Sequence, residues 1–369
     1  MNPKSLKSLK SPKSAMSPKR YPMAGPVTTP ATEIVLPGPV EPDGLEVRVR
    51  ELGPPGEGQV LLRMEASGVS FAEQQMRLAR YYDQPPFPFV PGYDVVGTVE
   101  ATGPGVDPAL RGRRFAAVTK VGGWAGHLHL AAGDLVPVPE GVDAAAAETV
   151  LVNGATAWQM LHRSAAVRAG GTVVVLGANG GVGTLLVQLA RRAGLTVIGT
   201  ASARHHEAVR ALGAIPVDYR DPDLYEQIRA LAPEGVDAVF DHVGGPGLTR
   251  SWRLLRKGGT LVNYGVAAGK DDQGTSALGF VRLLGRLLVW NHLPNGRSAL
   301  FYNFWAGRRR LDSFRARLAE DLTQVLGLVA RGELEPQIAA RIPLSRAAEA
   351  LALAESRTVL GKVVIVADA

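Results

Sequence analysis

The chain has 369 residues, 46% hydrophobic and 20% charged, enough to bury the cores of two domains. It contains no cysteine, which excludes disulfides, thiolate metal ligands and a cysteine nucleophile, and which fits a cytoplasmic location. Lys4, Lys7, Lys10, Lys13, Lys19 and Arg20 precede Met23 without an acid; removing those six from the formal charge of +7 leaves +1, so the folded body carries no basic field for nucleic acid.

The segment before Met23 is Ser/Lys/Pro-rich and reads as a disordered extension, or as an upstream start ahead of Met23. It lacks the apolar block of a secretory signal, and no run of 18 apolar residues marks a membrane span. Residues 31–150 read as all-β, with short apolar alternations punctuated by Gly and Pro. Between Ala145 and His162 the texture becomes an Ala-rich helix. Strands are expected at 172–176, 195–200, 215–218, 236–241 and 259–264, separated by helices at 182–193, 204–212, 221–232 and 246–256. Apolar strands alternating with helices imply a doubly wound parallel α/β sheet with right-handed crossovers. Two apolar runs flanking Pro294-Asn295-Gly296 predict a hairpin over 287–304. A helix near 312–331 and a strand, GKVVIVA, follow. This last strand has no helical partner nearby, so it is expected to rejoin the first β-domain. The domains are then 23–150 with 300–369, and 151–299.

Gly177, Gly180, Gly181 and Gly183 follow one expected strand and open the next helix. In that context the first glycine permits the tight turn, the next lets backbone approach a pyrophosphate, and the last lets helix and strand pack closely. The free N–H groups of the helix start then face the phosphates. An NAD site places an acid about 20 residues further on. No acid occurs between Gly177 and Glu207; Ser202, Arg204 and His205 sit just past the second strand instead. A hydroxyl and a guanidinium suit a 2′-phosphate, so NADP(H) is the expected cofactor.

Several stretches resemble the medium-chain dehydrogenase/reductases, specifically the zinc-independent, zeta-crystallin-like quinone oxidoreductase branch. They are SGVSFAEQQMRLARYY (67–82), PFVPGYDVVGTVEATGPGV (88–106), NGATAWQML (153–161), GANGGVGTLLVQLA (177–190), FDHVGG (240–245) and LGKVVIVA (360–367). The resemblance implies a GroES-like substrate domain beside a Rossmann domain, and a homodimer joined through the last Rossmann strand. It implies cofactor contacts from Asn153, Thr156, Asn179, Val182, Tyr219, Val243, Tyr264, Gly265 and Val266. It also implies that Tyr81 donates a proton, with Tyr82 a substitute and Ser70 near the nicotinamide. Ala79 replaces the usual Gly of that loop, and Ser70 the usual Asn. Zinc-dependent relatives carry Gly-His-Glu where this chain reads Gly92-Tyr93-Asp94, so no zinc is expected. His127 and His129 share a strand face but lack a third ligand.

Reduction of a quinone or α,β-unsaturated carbonyl suits such a site, because the developing charge needs only hydrogen-bond donors and a proton. Phe301, Tyr302, Phe304 and Trp305 are expected to line the substrate cleft or a dimer seam. The sequence leaves open an enoyl-thioester or biosynthetic ene-reductase. It also leaves open a low-turnover cofactor-binding scaffold that contacts RNA or membrane through the basic tail.

Overall fold

The computed structural model describes residues 28–81, 83–265 and 277–368; the basic tail, Tyr82 and Val266 lie outside them. An antiparallel ribbon of β1 (Thr29–Val35) and β2 (Glu46–Leu52) comes first. There follow β3 (Gln59–Val69), α1 (Phe71–Arg77), β4 (Asp94–Thr102), β5 (Arg114–Val118), β6 (His127–Ala131) and β7 (Val136–Pro137). Next come α2 (Ala144–Thr149) and α3 (Val152–Trp158), the latter continued by a π-helical stretch, Gln159–Ala165.

The alternating region holds β8 (Thr172–Val175), α4 (Gly181–Arg192), β9 (Thr196–Ala201), α5 (His206–Ala211), β10 (Ile215–Asp218), α6 (Leu224–Leu231), β11 (Val236–Asp241), α7 (Leu248–Leu254) and β12 (Leu255–Asn263). The chain ends with α8 (Ala277–Asn291), β13 (Ser298–Phe301), α9 (Leu311–Ala330), β14 (Ile338–Pro343), α10 (Ala347–Glu355) and β15 (Lys362–Val366).

Six strands form a wholly parallel sheet in the order β10-β9-β8-β11-β12-β13. Its central strands are buried on both faces, as Val173, Val174 and Val175 of β8 are. The chain winds outward from β8 and then crosses to β11, so a crevice opens beyond the C-terminal ends of these two strands. The other sheet runs β14-β15-β3-β4-β5-β7, with β6 also on β3. β15 pairs antiparallel with β3, Val363 facing Val69, so the GroES-like domain is discontinuous, as its sequence suggested.

The hairpin expected over 287–304 does not form. Leu283, Leu287 and Trp290 recur at helical spacing and pack as one face of α8 against the sheet. Gly296, at φ +67°, turns the chain into β13, which runs parallel to β12. A parallel neighbour requires a crossover, and α8 supplies it. The expected boundary between 299 and 300 falls inside β13. One apolar core runs from Ala66, Val96 and Ala116 of the GroES-like sheet through α2 and α3 to Val173 and Leu185, fixing one domain against the other.

Candidate functional site

The glycine turn is built by steric exclusion. Gly177 holds φ +69°, and a Cβ there would strike the imidazole of His242. A Cβ on Gly183 would strike the carbonyl of Gly177, so this glycine lets α4 lie on β8. The turn is pinned by Gly177 N–H to Thr200 Oγ1 at 3.0 Å and by Ala178 N–H to Thr200 O at 2.8 Å. Gly180 differs: its φ is −81°, and a Cβ would meet only the Gly177 carbonyl, at 3.4 Å. The space above Gly180 is open. No side chain caps α4, so the N–H groups of Gly181, Val182 and Gly183 keep their capacity for an anion. The Asn153 amide sits over Gly181, and Thr156 follows one turn later on α3. The carbonyl of Asn179 accepts from Gly361 N–H at 3.0 Å.

A second group lies at the ends of β9 and β10. Tyr219 N–H donates to Ala201 O at 3.3 Å, which brings Tyr219 beside buried Ser202. Arg204 is exposed and donates to the Arg357 carbonyl at 2.9 Å; Arg220 lies over the Tyr219 ring at 5.5 Å. Arg204, tied to the backbone of Arg357, and Arg220, over Tyr219, thus flank the ends of β9 and β10 that carry Ser202 and Tyr219. The buried Nε2 of His205 has no hydrogen-bond partner. Burial first, and Arg204 second, lower the pKa of that imidazole.

The ends of β11 and β12 form the third group. Buried Asp241 accepts from the N–H groups of Val243 and Gly244, both at 2.8 Å, and from Ser251 Oγ at 2.8 Å. Asn263 ties the Asp241 and Gly265 carbonyls together at 2.9 and 3.0 Å. A Cβ on Gly265 would lie 2.6 Å from the His242 carbonyl. The Tyr264 ring is 5.9 Å from His242, and burial, reinforced by Asp241, raises its phenol pKa.

In the GroES-like domain, Ser70 caps α1. Its hydroxyl accepts from Ala72 N–H at 3.2 Å and donates to the buried carboxyl of Glu73. Glu73 also accepts from Tyr93 N–H at 2.7 Å, and burial raises its pKa. Tyr81 Oη is 2.7 Å from Tyr93 Oη, and Trp305 Nε1–H donates to the same Tyr93 oxygen. Tyr302 N–H donates to Asn263 O at 2.7 Å, so this aromatic group stands at the Gly265 end of the crevice. Arg77 is an anchor, buried and bidentate to Glu355 at 2.8 Å on each arm.

Behind Tyr93 lies a buried ionic cluster. Lys362 Nζ contacts Asp94 Oδ2 at 3.0 Å and Glu148 Oε1 at 2.5 Å. Burial and the neighbouring Asp94 push the Glu148 carboxyl well up, while the two carboxylates raise Lys362 against its own burial. Asp94 Oδ2 also accepts from Val152 N–H, the start of α3, at 3.2 Å.

The structure therefore gathers Asn153, Thr156, Gly177, Asn179, Gly180, Gly181, Val182, Gly183, Ser202, Arg204, Tyr219, Val243, Tyr264 and Gly265 along one edge of the parallel sheet, with Ser70 and Tyr81 in the other domain. Sequence reading missed Tyr93, Asn263, Arg220 and Arg357. The signal for Tyr93 was present in PGYDVVG, where it served only to mark the lost histidine. A zinc site does not fit here: Tyr93 is engaged with Tyr81 and Trp305, Asp94 with Lys362, and no cysteine exists. His127 bonds Glu100 at 3.1 Å and His129 the Gly53 carbonyl at 3.0 Å.

Fold and crevice together define a two-domain oxidoreductase. Residues 56–160 match the alcohol dehydrogenase GroES-like domain family, and residues 212–365 match the zinc-binding dehydrogenase family. The chain is 31% identical to the rat synaptic vesicle membrane protein VAT-1 homolog over 85% of its own length and 78% of the relative's. It is 30% identical to a Burkholderia 2-haloacrylate reductase, covering 87% and 96%. The solved structure of mycobacterial Rv1454c complexed with NADPH superposes with a TM-score of 0.77 at 27% identity, covering 91% and 99%. The chain belongs to the medium-chain dehydrogenase/reductase superfamily, in its zinc-independent quinone oxidoreductase branch.

Proposed function

We propose that the protein is an NADPH-dependent reductase of quinones or α,β-unsaturated carbonyl compounds. The observation that carries the cofactor is the cluster of Ser202, Arg204, Tyr219, Arg220 and Arg357, with the unpartnered His205 nitrogen among them. A dianionic phosphate meets cations and hydroxyls there, while the Asp218 carboxylate at the end of β10 is engaged by the Arg220 N–H at 2.9 Å. The open space at Gly180 and the uncapped start of α4 fit the pyrophosphate. Val243 and Gly265, at the ends of β11 and β12, fit the far half of the coenzyme. The NADPH-complexed mycobacterial neighbour and the 2-haloacrylate reductase support this reading.

When bound, NADPH would supply a hydride to the β-carbon of a conjugated acceptor or to a quinone ring. The chain's own residues then exclude water, orient the acceptor and handle charge. Tyr81, a phenol held at the GroES-like side, donates the proton that completes reduction; Ser70 orients the acceptor from its capping position. The test is coenzyme consumption with quinones, enones, 2-haloacrylates and enoyl-thioesters. Turnover of the first three classes supports the proposal, turnover of thioesters alone replaces it with a dedicated enoyl reductase, and no turnover with any of them rejects it.

We further propose a homodimer through β13. This strand pairs with β12 on one side. Beside it α8 exposes Val281, Leu284, Leu288 and Val289, and Phe280 and Phe301 line the groove between them. An apolar strand edge of this kind is stabilised by pairing. Light scattering tests the mass; a monomer at micromolar concentration rejects it.

A further inference from the structure

The Tyr93 hydroxyl joins two parts of the molecule. Tyr93 itself is 3% exposed and rigidly held: its N–H donates to Glu73 Oε1 at 2.7 Å, and its carbonyl accepts from Thr119 and Lys120 N–H at 2.9 and 3.0 Å. Trp305 lies beyond β13, with its own N–H on Asn303 Oδ1 at 2.9 Å and its indole stacked on Phe314 at 5.7 Å. The Tyr93 ring packs between them, 6.4 Å from Tyr81 and 5.6 Å from Trp305.

The indole N–H can only donate, so the Tyr93 oxygen accepts from Trp305. A phenol that accepts at oxygen still has its own proton to give, and Tyr81 Oη is 2.7 Å away. From this we infer that Tyr93 is a positioning residue for proton donation by Tyr81, with Trp305 setting the direction of the relay. The inference rests on the reading of Tyr81 as the proton donor.

In the step itself the Tyr81 O–H bond breaks as a new bond forms between that proton and the acceptor carbon or oxygen. The electron pair of the O–H bond stays on Tyr81 as a phenolate. Tyr93 donates its hydrogen bond to that phenolate, and Trp305 polarises Tyr93 in turn; solvent then returns a proton to Tyr81. The two electrons of reduction come from the coenzyme of the proposed reaction. A hydrogen bond to a developing charge is stronger than one between neutral groups, so the relay favours the product side of proton transfer.

The experiment compares Tyr93→Phe and Trp305→Phe with wild type and with Tyr81→Phe. Both test variants keep an aromatic ring and remove one hydrogen-bonding group. Two readouts are needed: the pH–rate profile, and tyrosinate absorbance during alkaline titration of the coenzyme-free protein. Tyr93→Phe is expected to slow turnover about tenfold, as expected for loss of one hydrogen bond to a charged group. It is also expected to move the alkaline limb of the profile up by about one pH unit. The titration of the free protein shows the same upward movement for one tyrosine, which is absent in Tyr81→Phe. Trp305→Phe shifts both in the same direction by less. If Tyr81→Phe slows the reaction while Tyr93→Phe leaves both profile and titration unmoved, the relay is wrong and the donor reading stands. If Tyr81→Phe itself changes nothing, the donor reading falls and the relay with it.

Discussion

The amide of Gly361 donates to the carbonyl of Asn179 at 3.0 Å, so the residue before β15 in the GroES-like sheet grips the glycine turn of the parallel sheet. Gly361 holds φ +83°, and a Cβ there would collide with the Gln337 carbonyl. Gly361→Ala is therefore expected to destabilise the fold by about 2 kcal/mol, combining left-handed strain with a backbone clash. Coenzyme binding should weaken with it, because the turn loses its support. Thermal unfolding and a coenzyme titration read the two effects; unchanged values in both contradict the coupling.

Gly180 and Gly177 separate binding from folding. Gly180 has ordinary backbone angles and an open Cβ direction, so Gly180→Ala should keep its melting temperature and lose coenzyme affinity about tenfold or more. Gly177→Ala should lose both, since its Cβ meets His242 and its φ is left-handed. Equal stability losses in the two variants would show that the space at Gly180 serves the fold alone.

Lys362 pairs with two buried acids, Asp94 and Glu148, away from water. Lys362→Met leaves Asp94 and Glu148 together without a cation and is expected to cost about 3–5 kcal/mol. The pH dependence has a definite sign. The ammonium pKa is raised above its ordinary 10.5 in the folded state, so its contribution is full below that value and declines as pH rises beyond it. Denaturant unfolding at pH 8 and above pH 10.5 checks this; Lys362→Met should lack that part of the alkaline decline.

Ala79 holds φ +53°, a conformation that glycine adopts without strain. It stands in the loop that carries Tyr81, at the position where the family pattern has glycine. Ala79→Gly should stabilise the protein by up to about 1 kcal/mol, the relief of left-handed strain exceeding the added chain entropy. A loss of stability would show that the alanine methyl makes a packing contribution larger than the strain.

What the sequence disclosed and what it concealed follow from the range of the interactions. The glycine turn was legible because its requirements are local: positive φ at Gly177 and missing side chains at Gly180 and Gly183 are written in four nearby residues. The return of the last strand was legible from its isolation. The segment before β13 was misread because Pro294-Asn295-Gly296 follows a helix as readily as it closes a hairpin; the helical period of Leu283, Leu287 and Trp290 is the signal that tells the two apart. The Asp94–Glu148–Lys362 cluster and the Tyr81–Tyr93–Trp305 contacts join residues far apart in the chain. No spacing rule brings them together; only the pairing of β15 with β3 and the path beyond β13 do so.

The central claim is that a phosphate on the adenosine ribose is held at the ends of β9 and β10. Equilibrium titration of NADPH and NADH, on wild type and on Ser202→Asp/Arg204→Ala, tests it most directly. Wild type should bind NADPH at least about tenfold tighter than NADH, and the double variant should lose that preference or reverse it. A double variant that still prefers NADPH by the wild-type margin would contradict the account.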